Sequence, residues 1–362
     1  MSNCVVKENN LMKFLKSKDY NYAFNKKTGY FQRWGSNFED NPTYSIFGPE
    51  ILDLEISYGK CSGNCKFCYK DNGNHNKDSH NMTFDEFKII FNKIGKQLTQ
   101  IAFGITDIYS NPDFFKMMEY SKENGVIPNY TCNGFDVDDN AAKVTSETCG
   151  AVAVSLYSKE HTYNAIKKFT DYGMNQVNIH YVLSEETYDN IFNVFDDIKT
   201  DNRLAKLNSI IFLSYKPKGK NKNNFTILKD KTKYKRLAKY SEDNNLMIGF
   251  DSCSAPIIFK NFINEDDNQI NFIKTFCESC ESSCFSAYIN AKGEYFPCSF
   301  CENEDIFKEG LNVLNCDDFL KDIWFNEKTI KFRNNLLNTT KKCDCIFQSE
   351  CRTCPAFNIK CK

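Results

Sequence analysis

"ILDLEISYGKCSGNCKFCYK", residues 51–70, joins an apolar, β-branched run of strand length to a loop that carries three cysteines. Cys61, Cys65 and Cys68 fall within eight positions, and Gly59 and Gly63 let the loop fold tightly around a bulky object. Three thiolates make an odd ligand set. A closed zinc site takes four protein ligands, and a ferredoxin-type cluster likewise takes four cysteines. A cubane held by three thiolates leaves one iron with open coordination. That iron can bind a molecule that chelates through an amine and a carboxylate.

Outward from this stretch the pattern is regular. Strand-like runs "ILDLEISY", "QIAFGIT", "IPNYTCNG", "AVAVSLY", "QVNIHYVLS" and "NSIIFLSY" alternate with amphipathic segments. The helix candidates are "TFDEFKIIFNKIGKQL", "NPDFFKMMEYSKENG", "DDNAAKVTSETC", "HTYNAIKKFTDYG", "TYDNIFNVFDDIK" and "TKYKRLAKYSEDNN". Thr83 with Glu86 reads as a capping box, and Gly125 and Gly173 stand where helices end. Six such units demand a parallel α/β sheet with helices outside it, either open and doubly wound or curled into a partial barrel. In both cases functional residues belong at the C-terminal strand ends, where the cysteine loop falls. The first 48 residues read as a helical run, "LMKFLKSK", followed by a hairpin, "NYAFNKKTGYFQRWG", turning at Lys27, Thr28 and Gly29.

The bulk numbers narrow the class. Lys plus Arg number 46 against 47 Asp plus Glu in 362 residues, which argues against a nucleic-acid or membrane-surface binder. The basic run "KPKGKNK" at 216–222 reads as a solvated loop. No apolar run approaches a membrane span and the N-terminus has no signal pattern, so a cytoplasmic location is expected. Thiols are kept reduced there, so metal ligation is the leading explanation for 18 cysteines. Six of them precede residue 250 and twelve follow it, which marks a domain boundary near that point. The expected division is an N-terminal extension over 1–47, a barrel over 48–250 and a cysteine-rich domain over 251–362.

S-adenosylmethionine carries both an amine and a carboxylate on its methionine moiety. "CSGNCKFC" resembles the CxxxCxΦC motif of the radical S-adenosylmethionine superfamily, with Phe67 in the aromatic slot. The resemblance implies a partial (β/α)6 TIM-like barrel, a catalytic [4Fe–4S] cluster on Cys61, Cys65 and Cys68, and a 5′-deoxyadenosyl radical that abstracts hydrogen. A zinc knuckle borrowing a distant fourth ligand is the alternative. The family's GGEP element corresponds to "FGITDIYSNPDF": Gly104 is retained, while Ile105, Thr106 and Asp107 take the other places. Thr106 is then expected to accept a hydrogen bond from the cofactor's ammonium, with Asp107 supplying the charge. "TCNG" at 131–134 resembles the element ending strand three, and Ser155 matches the strand-four serine. Asn133 and Ser155 also read as ordinary strand-end turn formers.

The tail is similar to a SPASM extension, which binds two auxiliary [4Fe–4S] clusters. Cys280 or Cys284, Gly293 and Cys298 supply its first part; Cys343, Cys345, Cys351 and Cys354 run CxCx5CxxC, with Cys361 after them. Two of these spacings are one residue shorter than the family's. The resemblance implies a first cluster on Cys277 or Cys280 with Cys284, Cys298 and Cys354, and Cys253 as a rival ligand. It implies a second on Cys343, Cys345, Cys351 and Cys361. A zinc ribbon explains CxxC pairs equally well in isolation. Cys4, Cys132, Cys149 and Cys316 read as plain thiols in or near the core.

The expected activity is radical modification of a peptide or protein side chain, by oxidation or cross-linking, with a flavodoxin- or ferredoxin-like electron donor. A small-molecule substrate is the alternative, and a non-enzymatic electron carrier or zinc protein is the third reading. Forty-eight residues are too few for a winged-helix peptide-recognition domain. Sulfatase-maturing relatives carry an aspartate directly after the cysteine matching Cys298; here Ser299 stands there, which disfavours that activity.

Overall fold

A computed structural model describes residues 4–73, 79–219, 222–261, 273, 277–338 and 351–357. The chain opens on an antiparallel sheet of β1 (Val5–Glu8), β2 (Met12–Lys16), β3 (Asn21–Asn25) and β4 (Phe31–Trp34), in that order. The expected helix over "LMKFLKSK" is therefore a strand. Its buried positions alternate at Lys13 and Leu15, and Lys13 disguises the period of two. Lys13 is buried because its ammonium donates to the carbonyls of Leu98 (2.7 Å) and Gly125 (3.4 Å). Burial pulls its pKa down to about 8. The hairpin turns where expected: the Asn25 side chain accepts from the amides of Lys27 and Thr28, and Gly29 takes φ +76°.

A second sheet holds β5 (Ile51–Glu55), β8 (Gln100–Gly104), β9 (Ile127–Cys132), β10 (Ala151–Ser155), β11 (Val177–Leu183), β12 (Ser209–Ser214) and β13 (Ile248–Phe250), all parallel and in sequence order. A short ribbon, β6 (Ser57–Tyr58) with β7 (His80–Asn81), rises from the first crossover. Helices α1 (Phe84–Ile94), α2 (Phe114–Glu123), α3 (Asp139–Thr148), α4 (Lys159–Asp171), α5 (Asn190–Thr200) and α6 (Lys231–Asp243) fill the crossovers, and α7 (Ala255–Asn261) follows β13. The strand order excludes a doubly wound sheet, which reverses direction at a switch point. Right-handed crossovers that always step the same way put every helix on one face, and the sheet curls around the other as a partial barrel. β13, three residues long, is a seventh parallel strand that the sequence pattern did not show.

Local signals set the helix ends. Glu86 N–H donates to the Thr83 hydroxyl (3.2 Å) and Thr83 N–H to the Glu86 carboxylate (2.8 Å), closing the capping box at α1. Gly125 and Gly173 take positive φ just past α2 and α4. The outer core packs Leu52, Leu54, Phe103, Val154 and Ile179 of the strands against Phe87, Met117, Ile166 and Phe195 of the helices, all almost wholly buried. Each such side chain contributes about 1.5–3 kcal/mol.

The C-terminal segment continues this sheet. β14 (Ser286–Ile289) pairs parallel to β5 on its free side, and β15 (Glu294–Phe296) and β16 (Leu311–Asn312) extend it antiparallel. Hydrogen bonding therefore runs across the expected boundary at residue 250. No helix among the described residues is long and apolar enough to cross a membrane.

Candidate active site

The loop after β5 and β6 lies over the C-terminal mouth of the barrel, where Cys61, Cys65 and Cys68 line a cavity of about 520 Å³. The interaction between Cys65 and Cys68 holds the Cys68 thiol low and the Cys65 thiol high. Asn72 N–H also points at the Cys68 sulfur (3.3 Å). Burial raises the Cys61 thiol, against amide hydrogen bonds from Gly63 and Asn64. Among the described residues, no three Cys, His, Asp or Glu side chains converge as donors to a single ion. Phe67 packs between Tyr157 and Phe225, with ring centroids 5.7 and 5.8 Å away.

Strand ends bring the other expected residues to the same cavity. Gly104, Thr106, Asn133 and Ser155 all line it. A Cβ on Gly104 would lie 3.1 Å from the Glu55 Cα, so glycine lets β8 close on β5. Thr106 is buried, and its carbonyl accepts from the Asn133 amide (3.3 Å). Asp107 sits behind the wall. Its carboxylate accepts from Ser62 N–H (3.0 Å), the Ser62 hydroxyl (3.1 Å) and the Asn133 side chain (2.5 Å). Asp107 thus fastens the cysteine loop to the ends of β8 and β9.

The inner wall carries charges that sequence reasoning missed. Lys70 pairs with Glu55 (3.1 Å) and Glu302, and donates to the Tyr288 hydroxyl (2.7 Å). Burial pulls Lys70 down, yet the two glutamates outweigh it and its pKa rises. Burial also raises Glu55. Asp53, one strand repeat below Glu55, is raised to about 6 by burial alone. His180 on β11, 3.3 Å from the Thr131 hydroxyl, is pushed down to about 4 by burial and stays neutral. The signal for the two acids was present: "LDLE" alternates, and its apolar positions, Leu52 and Leu54, face the helices.

The run at 216–222 corrects another expectation. Lys216 is 5% exposed, pairs with Asp251 (2.8 Å) and lies 4.4 Å from the Phe300 ring centroid. Lys218 donates to the carbonyls of Phe300 (2.9 Å) and Glu302. Pro217 and Lys222 alone among the described residues of the run are exposed as expected, residues 220–221 being outside the described residues. Tyr69 stacks on Phe300 (4.2 Å) and its hydroxyl donates to Ser299 (3.2 Å), so the segment after Cys298 forms one side of the cavity.

In the tail, burial and then the neighbouring Cys298 push the Cys280 thiol up to about 11, with Cys354 adding to the effect. Cys253 is raised by burial, and it interacts with Lys216, Cys280 and Cys354. Cys301 lies 3.5 Å from Cys298, sulfur to sulfur. Cys253, Cys280, Cys298 and Cys354 are thus close enough to influence one another's ionisation, as Cys280 does that of Cys284, without three of them converging on one point. Cys277 and Cys351 lie near one another. Cys343, Cys345 and Cys361 lie outside the described residues. Of the expected plain thiols, Cys132 is buried and Cys149 contacts the Met118 sulfur (3.5 Å), whereas Cys4 is exposed rather than near the core.

No protein-family model matches the chain, and no curated protein matches it by sequence. Solved structures match its fold. Streptococcus suis SuiB bound to precursor peptide SuiA superposes with a TM-score of 0.72 at 11% identity, over 97% of this chain and 95% of that one. SuiB bound to S-adenosylmethionine gives 0.61 at 15% identity, over 85% and 71%. Native anSMEcpe with bound AdoMet and Cp18Cys peptide gives 0.60 at 19% identity, over 86% and 94%. At these identities the likeness is one of fold. The partial barrel expected from the sequence is the architecture found.

Proposed function

We propose that the chain is a radical S-adenosylmethionine enzyme that modifies a side chain of a peptide or protein. The observation that carries this reading is the meeting of three loop cysteines with Gly104, Thr106, Asn133 and Ser155 around one cavity at the barrel mouth. The donor set fits the group: three thiols face the cavity, and amide N–H groups are directed at Cys61 and Cys68. When bound, the cluster and S-adenosylmethionine supply one electron and a carbon radical able to take hydrogen from a C–H bond. Cys61, Cys65 and Cys68 would hold the cluster. Thr106, Asn133 and Ser155 would offer polar atoms to the cofactor, with Phe67 packed beside it and Asp107 contributing charge from behind. Tyr69, Phe300 and Tyr157 give the cavity aromatic walls.

The two auxiliary clusters belong to this proposal. Cys280, Cys284, Cys298 and Cys354, with Cys253 as rival, would hold one; Cys351 with Cys343, Cys345 and Cys361 would hold the other. A flavodoxin- or ferredoxin-like protein would deliver the electrons. Ser299 offers a hydroxyl where a carboxylate base would be needed for sulfatase maturation, so another side-chain oxidation or a cross-link is favoured. The solved complexes of SuiB with SuiA and of anSMEcpe with a peptide support a peptide substrate on the same fold.

The test is anaerobic reconstitution followed by iron analysis and reduction in the presence of S-adenosylmethionine. Wild type should carry roughly twelve irons, four for each of three clusters. Replacing Cys61, Cys65 and Cys68 together by Ala should remove about four and abolish 5′-deoxyadenosine formation, with the fold intact because that loop is not part of the core. Formation of 5′-deoxyadenosine by the triple variant would refute the assignment.

A further inference from the structure

Asp53 is the one carboxyl on the cavity wall whose role the preceding reading leaves open. Leu52 and Leu54 turn to the helices, so Asp53 and Glu55 face the barrel interior. Glu55 is fully engaged, by Lys70 (3.1 Å), the Tyr288 hydroxyl (3.0 Å) and the Ala291 amide (3.4 Å). Asp53 has no such partner: among the described residues, burial is the only influence on its ionisation. It is nonetheless the exposed residue of β5, and the surface it exposes is cavity wall. Water reaches it through the cavity, while protein surrounds it.

Its neighbours cannot supply a counter-charge. In register, Asp53 lies beside Ala102 of β8 and Tyr288 of β14. Ala102 is too small to fill the space over it, and the Tyr288 hydroxyl is already committed to Glu55 and Lys70. Both cavity lysines are taken as well, Lys70 by Glu55 and Glu302 and Lys216 by Asp251. Two residues of strand put Asp53 about 6.6 Å deeper than Glu55. Its carboxylate therefore faces the cavity with no protein group among the described residues paired to it, open to a cationic group that enters from outside.

We infer that Asp53 anchors an ammonium or guanidinium group of the substrate, so that the cavity takes peptides presenting a lysine or arginine side chain. This rests on the radical-enzyme reading for what happens to the peptide, but not for the binding itself. The long aliphatic stem of such a side chain suits passage past Phe67, Tyr69 and Val182, which line the cavity along with Asp53.

The test uses the full chain, anaerobically reconstituted, and two probes. N-acetyl-lysine methylamide and N-acetyl-norleucine methylamide have side chains of similar length and differ in the ammonium. By calorimetry wild type should bind the lysine probe about tenfold or more tightly than the norleucine probe. Asp53→Asn and Asp53→Ser should both erase that preference while leaving norleucine binding in place. Equal affinity of the two probes for wild type would overturn the inference. So would a loss of S-adenosylmethionine affinity in both variants alongside the lysine preference, because the carboxylate would then serve the cofactor's own ammonium. A wild type that prefers lysine through Asp53 yet never forms 5′-deoxyadenosine sustains the anchor and sinks the radical reading; the opposite pattern sinks the anchor alone.

Discussion

The Asp107 carboxylate, held by the Ser62 amide and hydroxyl and by Asn133, is the one acidic group in "GITD", residues 104–107. Changing it to Asn replaces one acceptor oxygen by a donor and sets that donor against Ser62 N–H or the Asn133 amide. It also removes the charge proposed to favour the cofactor's ammonium, a charge-assisted contribution of about 1.5–3 kcal/mol. Asp107→Asn is therefore expected to bind S-adenosylmethionine about ten- to a hundredfold more weakly and to hold the loop cluster less well. Thr106→Ala removes only a neutral partner, so it should keep its iron and lose less affinity. Iron analysis and cofactor titration on both variants read this out. Wild-type affinity and iron content in Asp107→Asn would show that other groups do both jobs.

At the scale of elements, the segment after β12 packs directly on the cysteine loop, and one glycine makes that possible. Gly219 takes φ +83°, and a Cβ there would lie 2.3 Å from the Cys68 carbonyl oxygen. Gly29 has a similar φ of +76° but open space around it. The pair separates backbone strain from collision. Gly29→Ala should cost only the strain of the left-handed conformation, about 1–2 kcal/mol. Gly219→Ala should cost that and also displace the segment bearing Cys68, since the atom it meets is backbone. Urea unfolding should therefore show both losses, while faster stripping of iron by a chelator should appear in Gly219→Ala only. Equal chelator resistance in the two would mean that this contact does not position the loop.

Across the whole molecule, residues 45–50 tie the N-terminal sheet to the cysteine-rich segment. Ser45 N–H donates to the Cys284 carbonyl (2.8 Å), Glu50 N–H to the Phe285 carbonyl (2.7 Å), and the Trp324 indole to the Ser45 carbonyl (2.7 Å). Arg33 of β4 reaches into this seam: it pairs with the buried Glu50, reaches Glu281 at 3.4 Å and lies 3.3 Å over the Phe285 ring. Burial works against the Arg33 charge, but hydrogen bonding and attraction to Glu50 more than restore it, and its pKa is raised. Arg33→Ala leaves the Glu50 carboxylate buried with, among the described residues, only the Tyr20 hydroxyl as a side-chain hydrogen-bond donor. Breaking a buried pair from one side costs about 3–5 kcal/mol. Chemical denaturation should show a loss of that order, with the tail thiols of Cys280 and Cys284 becoming more reactive as the seam loosens. A loss near that of an exposed ion pair, below about 1 kcal/mol, would mean the seam does not depend on Arg33.

The sequence by itself determined whatever is encoded by neighbours along the chain. Cys61, Cys65 and Cys68 are legible as one cavity-lining cluster because one loop supplies all three. The capping box at Thr83 and the turn at Gly29 are legible because they close within a few residues. The six long strands and their helices show in periodicity for the same reason. Tertiary structure decided what depends on partners far away. Lys13 reads as a polar interruption until Leu98 and Gly125 offer their carbonyls, and so a strand looked like a helix. Lys216 and Lys218 read as solvated until Asp251 and the 300–302 backbone receive them. Strand order, which makes the sheet a barrel, leaves no local trace. Asp53 and Glu55 share one alternating strand, yet only Glu55 meets a lysine. Whether a buried charge is satisfied or left open for a ligand is a property of the space around it, and that space is assembled from segments more than two hundred residues apart.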